Sequence, residues 1–194
     1  MGCTCEKIWR RKHSKIGNKC DIFDSLPHMT DAQKAVIRNN WQILKCHVAN
    51  IGVITYVGMF ESRPELLEVF SKFKGRDVDE LRRAGLLREH ALRVMATIDK
   101  VITRLDEPSS LKQMLREVGG HHRVYKVPPD YLQVILPHFL NAIKPHIEEH
   151  WCDDLEDAWK TMFAIILYHM NEGYNEGHSE SNHNQAKHIV EPSV

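Results

Sequence analysis

Apolar residues recur through the middle of this chain at helical spacing, and nowhere do they alternate with the period of two that marks a strand. Thr30 followed by Gln33 fits a capping box, and Ile37, Trp41, Leu44 and Val48 then fall at i, i+4, i+7 and i+11, which predicts a helix starting at Thr30. Val53, Tyr56, Val57 and Phe60 form the next stripe. Ser62 with Glu65 predicts a cap on a short turn in which Pro64 is tolerated, followed by Leu66, Leu67, Phe70 and Phe73. Leu87, His90, Ala91, Val94, Ile98, Val101 and Leu105 make one continuous face. Ser110 and Gln113 predict a further capping box ahead of Leu111, Leu115, Val118 and His122. Pro128 and Pro129 predict the start of a long helix through Leu132, Ile135, Leu136, Phe139, Ile143 and Ile147, kinked at Pro137 where a backbone hydrogen bond is missing. A last helix starts near Asp153 and carries Leu155, Trp159, Met162, Ile166 and Met170. The predicted fold class is all-α.

The two ends read differently. Lys7, Arg10, Arg11, Lys12, Lys15 and Lys19 against Glu6 give the first twenty residues a charge of 6 minus 1, or +5, so residues 1–28 form a basic N-terminal arm. Residues 175–194 hold only Ile189, Val190 and Val194 as sizeable apolar groups, too few to offset chain entropy, which predicts a disordered tail. A single domain over 29–174 lies between them. About 150 residues bury roughly 70% of their unfolded surface, enough to fold without a disulfide or structural metal.

Charge and cysteine content narrow the class. Twenty-six basic and 26 acidic side chains cancel, which argues against a nucleic-acid partner. In the apolar first third the longest stretch without Lys, Arg, Asp or Glu runs from Cys46 to Phe60, short of the ~20 residues a membrane span takes, and no apolar run after the basic start reads as a secretory signal. Cys3, Cys5, Cys20, Cys46 and Cys152 include no CxxC and read as thiols. His146, Glu149 and His150 spell H-x-x-E-H, but Pro145 precedes them at a helix end and no third ligand is evident, so a catalytic zinc is set aside.

His90 and His122 carry the chemistry. Each is the one histidine on an otherwise apolar helix face, and the two are 32 positions apart, which predicts both imidazoles in one pocket. A flat apolar cofactor with a central iron fits between two such helices: apolar walls exclude water, one imidazole fixes the metal, and its second ring nitrogen is oriented by an acceptor.

With these features in place the sequence resembles a globin over about residues 29–174. Trp41 in the first helix, Pro64 followed by Phe70 and Phe73, His90 with Val94 one turn later, the V-G-G-H-H-R run at 118–123 and D-A-W at 157–159 all stand where globins have theirs. The resemblance implies a three-over-three helical sandwich around haem b. It implies further that Phe70 stacks on the haem, His90 is the distal histidine, Val94 lies beside the sixth coordination position and His122 is the proximal ligand. His121 competes for that last role; the register favours His122, which has Val118 and Leu115 four and seven residues earlier where His121 has Glu117 and Met114. Tyr56 aligns to a distal hydrogen-bond donor, Arg93 to a position able to pair with a haem propionate, and Val118 and Val127 to the pocket wall.

The spacing of the two histidines is most similar to neuroglobin, and the M-G-C start is most similar to globin X, a membrane-associated relative. The expected function is a haem globin with both His90 and His122 on iron, binding O2, NO and CO and serving redox, nitric oxide or nitrite chemistry, or sensing, at a membrane surface. Nitrite reduction and NO dioxygenation are side reactions of ferrous globins generally, and an unidentified reductant is required. Gly2 is the expected myristoylation site and Cys3 and Cys5 the palmitoylation sites; Glu6 departs from the pattern, which has Ser or Thr there. Two acyl chains, or one with the basic arm, anchor stably, so the expected location is the cytoplasmic face of a membrane, the plasma membrane first, or the cytosol without acylation. One alternative is a pentacoordinate oxygen storage or transport globin. Another is a haem-switched membrane signalling protein, with Gly119 and Gly120 loosening the helix end before the proximal histidine. Cys46 and Cys152 fall near helix corners that this topology brings together, where a redox-sensitive disulfide is conceivable.

Overall fold

Thr30 starts the first helix as its spacing to Gln33 predicts: the Gln33 amide donates to Thr30 Oγ1 at 3.2 Å, and the Thr30 amide donates back to Gln33 Oε1 at 3.0 Å. The computed structural model describes residues 26–187 apart from 71, 84, 128–130 and 132, with side chains as far as Glu176. Among them lie the helices α1 (Asp31–Leu44), α2 (Val48–Ser62), α3 (Val78–Arg83), α4 (Leu86–Thr103), α5 (Pro108–Val124), α6 (Ile135–Ile143) and α7 (Asp153–Lys187), and no strand. Tighter 3-10 turns at Lys45–His47, Pro64–Val69, Lys144–His146 and Glu148–His150 join them.

Four expectations need correction. Ser62 does not cap the next turn: it ends α2, and its hydroxyl donates to the Met59 carbonyl at 3.0 Å, because Pro64 forces Arg63 out of helical geometry. Ser110 is not a cap either, since Pro108 is itself the first residue of α5, a position where its missing N–H is not needed. Pro137 lies in the first turn of α6 for the same reason, so no kink arises there; Pro128, Pro129 and Leu132 lie outside the described residues. The last helix does not give way at 175. It runs to Lys187, because a helix already held by its packed first half extends at one hydrogen bond per residue, with no proline before Pro192 to stop it. Residues 1–25 of the arm, with Gly2, Cys3 and Cys5, and residues 188–194 lie outside the described residues.

The segment Asp31–Ser62 is long and apolar enough to cross a membrane, contrary to the sequence expectation. Here it is broken at Lys45–His47, and it gives the core Ile37, Trp41, Leu44, Ile51 and Phe60.

Two apolar clusters fill the interior. The larger is built on Trp41, Phe139 and Trp159, with ring centroids 6.2 Å apart for Trp41 and Trp159 and 5.2 Å for Phe139 and Trp159. The Trp41 indole N–H donates to Asp99 Oδ1 at 2.7 Å, so the one polar atom of that ring is satisfied at the cluster's edge. The smaller holds Tyr56, Phe60, Leu66, Phe73, Leu81, Leu87 and Ala91. Val94 and Ile135 pack against both. On the far side of α5, Gly119 is buried against α7, where a Cβ would fall 2.0 Å from the Met170 carbonyl oxygen. This glycine is a tight packing point, not the loose helix end the sequence suggested.

Candidate functional site

The smaller cluster wraps a cavity of about 540 Å³. Tyr56 and Met59 enter it from α2, Leu66, Val69, Phe70 and Phe73 from the segment after α2, His90 and Val94 from α4, and Val118 and His122 from α5. Val127, Tyr131 and Ile135 close it from the following segment, while Lys72, Glu89, Arg93 and His121 stand at its polar edge. All eight residues singled out from the sequence, Tyr56, Phe70, His90, Arg93, Val94, Val118, His122 and Val127, line this one space. Met59, Thr97, Tyr131 and Lys72 were not foreseen; Lys72 sits in an irregular stretch where periodicity gives no signal.

His90 is held by the aromatic wall. Its Nε2 lies 3.0 Å from the Tyr56 hydroxyl, and the two rings meet edge to face with centroids 4.8 Å apart. Phe70 and Phe73 approach the imidazole at 5.2 and 5.9 Å. Burial, reinforced by the charges of Arg93, His122 and Lys72, pushes the His90 pKa down to about 4, so the ring is neutral at pH 7. Burial moves Tyr56 the other way and keeps its phenol protonated. The Tyr56 O–H therefore donates to Nε2 whenever that nitrogen carries no proton.

His122 is oriented from behind. Its Nδ1 lies 2.8 Å from the Val118 carbonyl oxygen, which can only accept, so Nδ1 carries the proton and Nε2 keeps its lone pair. Burial lowers its pKa; the Val118 carbonyl opposes that shift and the neighbouring His121 adds to it. An acceptor on the second ring nitrogen is what a metal-ligating histidine requires. His121 is exposed at the cavity's edge.

These features test the expected cofactor. No group of three His, Cys, Asp or Glu able to hold a metal occurs among the described residues. Two neutral imidazoles from different helices are too few for a bare ion, yet suffice for a metal whose equatorial ligands come with it. Apolar walls, a volume within the ordinary cofactor range of roughly 300 to 1,000 Å³, and cations at the edge to meet acidic substituents fit haem b. The H-x-x-E-H histidines form no such set: His146 and His150 lie in separate 3-10 turns, and His146 stacks on His47 with centroids 4.3 Å apart. Cys46 and Cys152 are free thiols.

Known proteins share the sequence pattern and the fold. Cytoglobin-2 of Danio rerio is 27% identical over 150 residues, covering 76% of this chain and 84% of its own. Neuroglobin of the same fish is 26% identical over 156 residues, covering 79% and 98%. A solved hexacoordinated heme protein from an anhydrobiotic tardigrade has the same fold, with a TM-score of 0.70 at 20% identity over 76% of this chain and 96% of that one. The pattern of the family described as Globin matches residues 55–170, more than half of the chain. With an all-α fold and a two-histidine apolar cavity inside that span, the chain belongs to the globin family, and its cofactor is haem b.

Proposed function

We propose that this globin is a bis-histidine haem protein in which His122 would hold the iron permanently and His90 would be a displaceable second ligand. When bound, haem b would supply a redox-active iron able to take small ligands such as O2, NO and CO. The observation that carries the reading is the pair of neutral imidazoles lining one apolar cavity, His122 with its Nδ1 tied to Val118 and His90 with its Nε2 beside the Tyr56 hydroxyl. The Tyr56 hydroxyl gives His90 Nε2 a partner whenever it is off the metal, so its departure would leave no buried nitrogen unsatisfied. External ligands then compete with His90, and their apparent affinity falls with the fraction of protein in which His90 is off the metal. That favours electron transfer, nitric oxide or nitrite chemistry, or redox sensing over bulk oxygen transport. The tardigrade protein of the same fold is itself described as hexacoordinated, in keeping with this reading.

The visible spectrum of reduced, ligand-free protein tests it, beside His90→Leu. Sharp, split low-spin bands that become high-spin in the variant are expected. A high-spin wild type would instead make His90 a hydrogen-bond donor in a pentacoordinate oxygen-binding globin.

The second part of the proposal is location. Gly2, Cys3 and a +5 arm support acylation and attachment to the cytoplasmic face of an anionic membrane, the plasma membrane first. Labelling of cells with an alkyne myristate analogue is expected to mark the chain and to fail for Gly2→Ala; equal labelling of both would refute it.

A further inference from the structure

Glycine is a poor helix former, yet α5 holds Gly119 and Gly120 in tandem and α7 holds Gly173. At Gly119 a Cβ would lie 2.0 Å from the Met170 carbonyl oxygen and 2.7 and 2.9 Å from Met170 C and Cα. The contact is reciprocal: at Gly173 a Cβ would lie 2.0 Å from the Arg116 carbonyl oxygen and 2.6 Å from its C and Cα. Every atom met is backbone, so no side chain can swing aside. Gly120 is different, with nothing nearer than the Gly173 oxygen at 3.9 Å.

The seam lies directly behind the site. The carbonyl that accepts from His122 Nδ1 belongs to Val118, and it is part of the peptide unit that joins Val118 to Gly119. Fixing the backbone at Gly119 therefore fixes the plane of that acceptor, and His122 follows one turn later on the same helix. Two side-chain pairs also tie the two helices: Lys112 Nζ lies 3.5 Å from Glu172 Oε1, and Arg116 pairs with Glu176. Within α7, Glu172 Oε2 lies 2.7 Å from His169 Nδ1.

We propose that Gly119 and Gly173 are positioning residues for the proximal histidine: their backbone-to-backbone contact sets the depth of α5 and the orientation of the His122 ring. This rests on the reading of His122 as the permanent axial ligand. A glycine kept only to allow two helices to pack would affect stability alone. A positioning glycine also changes how His122 meets the metal.

The test compares Gly119→Ala, Gly173→Ala and Gly120→Ala in the full haem-loaded chain, alongside His122→Gly with and without added imidazole. Loss of the axial ligand in His122→Gly, restored by imidazole, secures the underlying reading; an unchanged spectrum there would sink that reading itself. With it secure, Gly119→Ala and Gly173→Ala are each expected to change the six-coordinate to five-coordinate ratio of the reduced protein at least fivefold. They are also expected to speed haem transfer to an acceptor globin at least tenfold. Gly120→Ala, with the same gain in helix propensity, stays within twofold of the wild type on both measures. If Gly119→Ala and Gly173→Ala match Gly120→Ala, the inference is overturned. Should those two variants fail to fold, amide hydrogen exchange in the unmodified protein decides. Addition of carbon monoxide is expected to change protection in both 116–124 and 168–176 by at least threefold, and a change confined to 116–124 overturns it.

Discussion

Replacing Tyr56 by Phe removes one oxygen atom and leaves the ring and its contacts with Phe60, tilted at 5.9 Å between centroids, and Phe70, edge-on at 6.2 Å. That oxygen sits 3.0 Å from His90 Nε2, the nitrogen His90 would use on iron, so the phenol and the metal compete for the same lone pair. The hydrogen bond stabilises only the state in which His90 is off the metal. A net buried hydrogen bond contributes about 1 kcal/mol, and leaving the imidazole nitrogen unsatisfied adds to that. At 1.4 kcal/mol per factor of ten, the ratio of closed to open protein should rise about fivefold or more. Carbon monoxide binding after flash photolysis, followed over a range of gas concentrations, separates His90 rebinding from ligand capture and so measures that ratio. The overall carbon monoxide affinity should fall by the same factor. An unchanged ratio together with faster oxygen release would refute the reasoning, since the phenol would then act on bound ligand alone.

Further outcomes follow from the geometry. Thr30→Ala removes the side-chain half of the capping box, leaving the backbone N–H of residue 30 on Gln33 Oε1, and should cost about 1 kcal/mol in urea unfolding. The Asp99 carboxyl is held below its ordinary value chiefly by the Trp41 indole N–H, with Lys45 assisting. A lowered folded-state pKa means that its stabilisation is present above the unfolded value of about 4 and is lost as pH falls through the folded one. Asp99→Asn should therefore lose less stability than wild type between pH 6 and pH 3, and parallel curves would refute this. Lys72 and Arg93 are exposed cations at the cavity's edge. Their joint change to Gln should speed haem loss several-fold at low salt and much less in 1 M salt; salt-independent loss would mean they do not meet the haem carboxylates.

The sequence made some elements legible and hid others for identifiable reasons. The apolar face of α4 repeats long enough that periodicity alone put His90 and Val94 inside, and the register that preferred His122 to His121 follows from the same rule. Caps at Ser62 and Ser110 were misread because a proline within two residues overrode them, a local contest that pattern matching does not weigh. Lys72 reaches the cavity from irregular backbone, where no period exists to reveal it. Gly119 was visible as a glycine, but its partner Met170 is 51 positions away, and only the helix crossing shows why a side chain is excluded.

Val94 and Ile135 belong to both apolar clusters, and they also line the cavity. The prosthetic group thus completes the interior at the place where its two halves meet. Any ligand bound by the folded chain and not by the unfolded one raises stability by RT ln(1 + [L]/Kd), so folded protein accumulates as haem becomes available. The half built on Tyr56, Phe60 and Leu87 is the one that walls the cavity, so limited proteolysis is expected to cut there first when haem is withheld. Haem supply is then expected to raise the folded fraction of this globin independently of its rate of synthesis.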